Sequence, residues 1–251
     1  MIPKIIHQLA PTEDKWHPIW KICYPTWKTH YPDFVHKMWG DKDIDIFVEE
    51  YFPKHYNVYK TFTTHIFKLD FVRLAFLYQF GGIYADMDMY CYKNFYSELI
   101  ADVNLIQSNG IKNINCNEHV QNSLMAASAK NKFFLECIDE LCDRYMEREQ
   151  SVVYAYANRN LIPTLNHFYS ECVLQISGPV LLSDIYEKYS DTINVLSREL
   201  YNDSIHEYRE NYRTKHMMTG LWGKESIEQN QNLTEQYKKF RGIDLKEYKF
   251  E

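Results

Sequence analysis

No apolar run in the chain approaches the ~18 residues of a membrane span, and the opening MIPKIIHQ has neither the basic start nor the apolar stretch of a signal peptide. Cations are in the minority: 28 Lys and Arg face 34 Asp and Glu, for a net charge of −6. No basic cluster of the kind that binds a phosphate backbone stands out, which argues against nucleic acid as a partner. The cysteines Cys23, Cys91, Cys116, Cys137, Cys142 and Cys172 contain no C-x-x-C pair and sit mainly among apolar neighbours. They read as reduced thiols, since a chain of 251 residues needs no disulfide to hold its core. Glycine is scarce, with 8 residues, and no repeat or low-complexity linker interrupts the chain, so a second independent domain is not expected.

What the chain does have is aromatic mass, 16% of residues with 21 tyrosines, within an ordinary 45% hydrophobic content. Residues 2–9, IPKIIHQL, read as a buried first strand, in which His7 is either a functional contact or a hydrogen-bonded core residue. Trp16, Ile19, Trp20, Ile22 and Trp27 suggest a helix broken near Pro25. A strand over Phe34 to Trp39 and a helix over Asp41 to Phe52, ended by Pro53, follow. Further along, the spacing predicts a strand from Val103 to Gln107, a helix from Val120 to Ala129 carrying Gln121 and Asn122, and a helix from Phe133 to Glu149. Ile176-Ser177-Gly178-Pro179 reads as a turn with proline at the first position of a helix. Strands alternating with helices predict one α/β domain over 1–251, a mostly parallel sheet with covering helices.

The most informative stretch is KLDFVRLAFLYQFGGIYADMDMYCYK, Lys68 to Lys93. Leu69, Val72, Phe76, Leu77 and Phe80 recur at helical spacing. Asp70 and Arg73, three apart, project from neighbouring positions, to pair with each other or to face a cleft. Gly81 and Gly82 stop the helix, because a left-handed backbone costs glycine nothing. Ile83, Tyr84 and Ala85 then form a short strand that delivers Asp86 and Asp88 at its carboxyl end, where ligands of open α/β sheets bind. Two carboxylates one residue apart suit a hard divalent cation with room left for phosphate oxygens, and equally a solvated turn; the motif alone leaves both open.

In its order this stretch resembles the sugar-binding segment of the DXD-motif glycosyltransferases, D-x-x-R followed by L-Y-x-x-G-G-I-Y-x-D-x-D. Asp70, Arg73, Leu77, Tyr78, Gly81, Gly82, Ile83, Tyr84, Asp86 and Asp88 all match. The relatives suggested are fungal Golgi α-1,6-mannosyltransferases and bacterial capsular sugar transferases, with a similar segment in toxins that glucosylate GTPases. The opening IPKIIHQ resembles the family's first strand, whose end meets the nucleotide base. That implies Gln8, Leu9 and Ala10 there, with Ala10 in place of the usual tryptophan and Tyr84 as a substitute stacking ring. Lys215 to Trp222 resembles the family's late H-x-x-x-G-S-W, with Leu221 in place of serine.

The resemblance implies a GT-A-type fold and a metal-dependent, retaining transfer of a hexose from a nucleotide-sugar to an acceptor hydroxyl. Asp86, Asp88 and His216 would hold Mn²⁺ or Mg²⁺, imidazole favouring Mn²⁺. Tyr84, Ala85, Asp86 and Trp222 would contact the nucleotide, and Asp70, Arg73 and Asn122 the sugar and reaction centre; for Asn122 an ordinary helix-cap amide is the other reading. UDP-glucose is the first donor expected and UDP-N-acetylglucosamine the second, with a protein side chain or a glycan as acceptor. With no transmembrane segment, the expected location is a cytoplasm, a host's if the source is a virus or a secreted effector. Two rivals remain. An aspartyl phosphatase would carry its D-x-D on the first strand with Thr or Val two residues on, where Tyr90 stands here. An inactive nucleotide-sugar-binding module would be consistent with Ala10 and Leu221.

Overall fold

The computed structural model of the protein describes residues 1–108, 119–147, 173–201 and 211–217. Six strands form one sheet in the order β2-β1-β3-β6-β5-β7: β1 Ile5–Leu9, β2 Val35–Trp39, β3 Gly82–Ala85, β5 Val103–Gln107, β6 Val120–Ala127 and β7 Ile193–Leu196. β6 alone among them runs against its neighbours; β1 is parallel to β2 and β3, and β5 to β7. A second, two-stranded ribbon pairs β4 Met89–Cys91 with β8 Thr214–His216. Helices among the described residues include α1 Pro18–His30, α2 Asp41–Tyr51, α3 Pro53–Lys60, α4 His65–Phe80, α5 Lys132–Met146, α6 Pro179–Tyr189 and α7 Arg198–Tyr201.

Helix α4 is the centre of the larger core. It is buried nearly all round from Phe71 to Leu77, as expected of a helix enclosed by α2, α3, α5 and the sheet. Aromatic rings fill that layer: Trp39 stacks on Phe76 with centroids 4.3 Å apart, and Phe62 meets Tyr145 edge-on at 4.7 Å. The other face of the sheet is covered by α1, β4 and α7 through Trp27, Tyr31, Phe95 and Tyr201. Among the described residues no helix is long and apolar enough to cross a membrane. Cys23, Cys91, Cys137 and Cys142 are buried free thiols, whereas Cys116 and Cys172 lie outside the described residues.

Two sequence expectations are corrected. Helix α1 is continuous through Pro25. Its proline sits on the exposed side and removes one hydrogen bond, while Cys23 and Trp27 on either side anchor both halves, the Trp27 indole donating to the Met89 carbonyl at 2.7 Å. The stretch from Val120, expected to be helical, is strand β6. It lies between β3 and β5 and is buried from Ser123 to Ala127, and a strand buried on both faces shows no polar alternation that would separate it from a helix. The expected helix over 133–149 is present as α5, and its last predicted residues lie outside the described ones.

Candidate active site

The glycine pair does what the sequence requires of it. Gly81 has φ 65° and Gly82 φ 98°, and a Cβ on Gly82 would stand 2.5 Å from the Ile5 carbonyl oxygen. The absence of side chains here lets α4 turn directly into β3 and lets β3 close against β1, in the register Ile6 to Ile83 and His7 to Tyr84. The carboxyl ends of the two strands thus come together, and Asp86 and Asp88 follow within a tight turn closed by Met89 N–H on the Asp86 carbonyl, 3.0 Å.

β6 is distorted where it passes this point. Its pairing with β5 jumps from Leu105–Met125 to Ile106–Gln121, leaving Asn122, Ser123 and Leu124 out of that ladder. Such bulges re-aim side chains and free backbone groups. Here the Ser123 carbonyl accepts from Asp86 N–H at 2.8 Å, the Asn122 carbonyl accepts from Arg73 Nη1 at 3.1 Å, and the Asn122 amide donates to Asp70 at 3.1 Å. Asn122 is therefore a strand residue tied to Asp70, and the cap reading fails because no helix starts there.

Asp70 and Arg73 are both buried and pair with each other at 3.3 Å. Asp70 also accepts the Ser177 hydroxyl at 2.6 Å. Burial raises its carboxyl to about 6, against the pull of Arg73, Ser177 and Asn122. Arg73 reaches Asp86 at 3.4 Å and lies 5.0 Å above the Tyr84 ring, whose hydroxyl donates to the same Asp86 oxygen at 2.6 Å. Burial works against the guanidinium charge, but Asp86, Tyr84, Asp70 and Asp88 outweigh it and hold Arg73 protonated. Burial likewise raises Asp86, with Arg73 as the chief opposing charge.

The ribbon brings in the last member. Met89 pairs with His216, and Met217 N–H bonds the Asp88 carbonyl at 2.9 Å. His216 Nε2 comes 3.1 Å from Asp88 Oδ1; burial opposes protonation of the ring, but the bond to Asp88 and its charge prevail and raise its pKa. The donor atoms of Asp86, Asp88 and His216 all lie within 4.8 Å of one another. Two carboxylates and an imidazole at that spacing fit an Mn²⁺-class divalent cation, and the solvated-turn reading fits poorly with an Asp88 that is 6% exposed.

The other expected contacts are placed less uniformly. Gln8 is 2% exposed, with an amide nitrogen that has no hydrogen-bond partner among the described residues; Leu9 is half-buried, and Ala10 N–H bonds the Trp39 carbonyl at the same strand end. Ala85 is fully enclosed. Tyr84 is 1% exposed with Arg73 across its ring, so in this structure it serves Asp86 and presents no open face to a base. His7 is a core residue: its Nδ1 accepts from Trp39 at 3.2 Å, which leaves the proton on Nε2, bonded to the Gly81 carbonyl at 2.9 Å. Leu221 and Trp222 lie outside the described residues. Ser177 and Ser123 escaped the sequence reading, Ser177 being noticed there as part of a turn, 107 residues from the aspartate it bonds.

Residues 18–110 match the family model described as glycosyltransferase sugar-binding region containing DXD motif. An inositol phosphoceramide mannosyltransferase of Schizosaccharomyces pombe is 34% identical over 93 residues, 36% of this chain and 25% of the relative. A mannosyl phosphorylinositol ceramide synthase of Saccharomyces cerevisiae is 24% identical over 217 residues, 83% of this chain and 49% of the relative. An uncharacterized glycosyltransferase of Acanthamoeba polyphaga mimivirus is 37% identical over 103 residues, 38% of either chain. The chain thus spans half or less of the length of each of these relatives. Among solved structures the PaToxG glycosyltransferase superposes with a TM-score of 0.53 at 17% identity, covering 75% of this chain and 70% of that one. That similarity supports the GT-A-type α/β fold expected from the sequence.

Proposed function

We propose that the protein is a divalent-metal-dependent, retaining glycosyltransferase that moves a hexose from a nucleoside diphosphate sugar to an acceptor hydroxyl. The observation that carries this reading is the convergence of Asp86, Asp88 and His216 beside the buried Asp70–Arg73 pair, at the carboxyl ends of β1 and β3. A cation held by the three would supply the positive charge that offsets the negative charge developing on the leaving diphosphate. The chain's own residues fix the rest. Arg73, locked by Asp70 and the Asn122 carbonyl, opposes the effect of burial on Asp86 and aims its carboxylate, while Tyr84 holds one Asp86 oxygen so that the other is left for ligands. Among the described residues Asp70 keeps an acceptor lone pair beyond those used by Asn122, Ser177 and Arg73, which suits it to a sugar hydroxyl.

For the donor, UDP-glucose is tried first, and the mannosyltransferase names of the fungal relatives favour GDP-mannose as a second reading. For the acceptor, a protein side chain in a cytoplasmic setting is proposed, with a saccharide or a glycosylinositol head group as the alternatives. The test is a thermal-shift screen of nucleotide-sugars with and without Mn²⁺, followed by transfer from labelled UDP-glucose and GDP-mannose to lysate proteins, glycans and lipids. Mn²⁺-dependent binding and turnover, both lost in Asp88→Asn, are expected. Wild-type turnover in that variant would remove the motif's metal role; UDP-sugar binding without any turnover would favour the inactive module, and release of inorganic phosphate from a phosphomonoester would favour the phosphatase.

A further inference from the structure

His216 reaches Asp88 from a strand of three residues, Thr214–His216, paired to another of three, Met89–Cys91. A ribbon that short does not fix its own register, because two isolated strands are marginal in water. A slip of one residue would turn the His216 side chain to the other face and replace it with Lys215 or Met217. Something outside the ribbon must therefore hold β8 in place.

Several of the contacts that do so run through Glu98, at the end of a short 3-10 turn, Tyr96–Glu98. One carboxylate oxygen of Glu98 accepts from Arg213 Nε and the other from the Tyr201 hydroxyl at 2.6 Å. Its backbone carbonyl accepts from Asn194 Nδ2 at 3.1 Å, which ties the turn to β7. Arg213 is the residue immediately before β8; its N–H bonds the Leu200 carbonyl and its own carbonyl accepts from Tyr92 N–H, both at 2.8 Å. Thr214 repeats the link through its hydroxyl, which donates to the Tyr201 carbonyl. Tyr201 is 1% exposed and Thr214 1% exposed, so the attachment is made inside the smaller core. The Glu98–Arg213 pair itself is part-exposed, 33% and 24%, and its value lies in direction more than in strength.

We propose that Glu98 is a positioning residue for the cation site: by clamping Arg213 and Tyr201 it sets the register of β8 and so presents His216 to Asp88. It touches neither donor nor cation, and its effect passes through His216. The inference rests on the proposed metal role of Asp86, Asp88 and His216, and the experiment separates the two.

Glu98→Gln and Glu98→Ala are compared with the full-length wild type, each also in a His216→Ala background. The first measurement needs no metal: hydrogen exchange at the Met217 amide, which bonds the Asp88 carbonyl, should accelerate at least several-fold in Glu98→Ala, with Glu98→Gln in between, while amides of β1 and β3 keep their protection. The second is Mn²⁺ affinity by titration of free Mn²⁺. Loss of roughly 10-fold or more is expected for Glu98→Ala, the range seen when a group that orients a metal ligand is removed. In the His216→Ala background the same substitution should cost almost nothing further, because the ligand it positions is gone. Unchanged exchange at Met217 would overturn the proposal, as would equal Mn²⁺ losses in both backgrounds or exchange raised equally across the whole sheet. If the wild type binds no Mn²⁺ yet Met217 exchange responds as expected, the register role stands and the metal reading falls.

Discussion

Arg73 Nη1 stands 3.4 Å from Asp86 while its other terminal nitrogen stands 3.3 Å from Asp70, so one guanidinium balances a carboxylate from α4 and a carboxylate from the D-x-D turn. Its side chain is 7% exposed. The charge is thus the internal counterion of the site, and the Asp70 and Asp86 sides of the motif are joined through it.

Removing that charge should be costly. Arg73→Met leaves Asp70 and Asp86 buried without a counterion, and one-sided deletion of a buried pair costs about 3–5 kcal/mol. The urea midpoint should fall accordingly, and Arg73→Lys should recover part of it, since a lysine keeps the charge but not the planar fork that donates to the Leu69 and Asn122 carbonyls while facing Asp70 and Asp86. A loss below about 1 kcal/mol in Arg73→Met would mean that Asp70 and Asp86 are solvated or protonated and that the pairing contributes little.

Asp70 should show the opposite sign. Its folded carboxyl is raised to about 6 from 3.8, so between those values the folded chain binds the proton that the unfolded chain has released. The contribution is most favourable below pH 4 and is lost as the pH rises through 6, by about 3 kcal/mol in all. Asp70→Asn removes that dependence. At pH 7.5 the variant should match or exceed the wild type in denaturant stability while losing sugar-dependent binding. A variant less stable at pH 7.5 than at pH 5 by the same margin as wild type would assign the raised pKa to another group.

The glycine pair gives a purely steric prediction. Gly82→Ala places a methyl 2.5 Å from the Ile5 carbonyl oxygen at φ 98°, so β1 or β3 must move. Left-handed strain of about 1–3 kcal/mol adds to the clash, and a drop of 3 kcal/mol or more is expected by urea titration. Retention of wild-type stability would show that β3 is not held against β1 as described.

Why some of this was legible in the sequence and some was not follows from the range of each interaction. The α4–glycine–β3–aspartate unit is written in consecutive residues, each step set by its own local chemistry: helical spacing, then φ > 0, then a strand end. Strand β6 was misread because Leu124–Met125–Ala126–Ala127 is apolar throughout, and only its position between β3 and β5 makes it a strand. The bulge at Asn122–Leu124 has no signature in its own residues. Ser177 on Asp70 and Arg213 on Glu98 join residues 107 and 115 apart, and no spacing rule pairs side chains across that distance. His216 was found because its neighbours resemble a known motif; the ribbon that delivers it was not.

His7 offers the cleanest pH test, because it lies in the core and apart from the aspartates. Burial lowers its pKa to about 4 from 6.5, the bond to the Gly81 carbonyl only partly opposing this. Its ring is stacked on Phe76 with centroids 5.5 Å apart and enclosed by Trp39 and Phe80. In the unfolded chain the imidazole takes a proton as the pH falls below 6.5, whereas in the folded chain it resists until about 4. The unfolded state therefore binds more protons in that window. Stability contributed by the neutral ring is complete above pH 6.5 and is lost as the pH falls through 4, by about 3 kcal/mol. His7→Gln should start less stable at pH 7.5, since a glutamine cannot both accept from the Trp39 indole and fill the stack. Between pH 7 and 4.5, however, its unfolding free energy should fall less steeply than the wild type's by up to one proton's worth of slope. Parallel wild-type and variant curves in urea across that range would show that His7 titrates as it does in the unfolded chain, and that its burial against Trp39 and Phe76 does not exclude the proton.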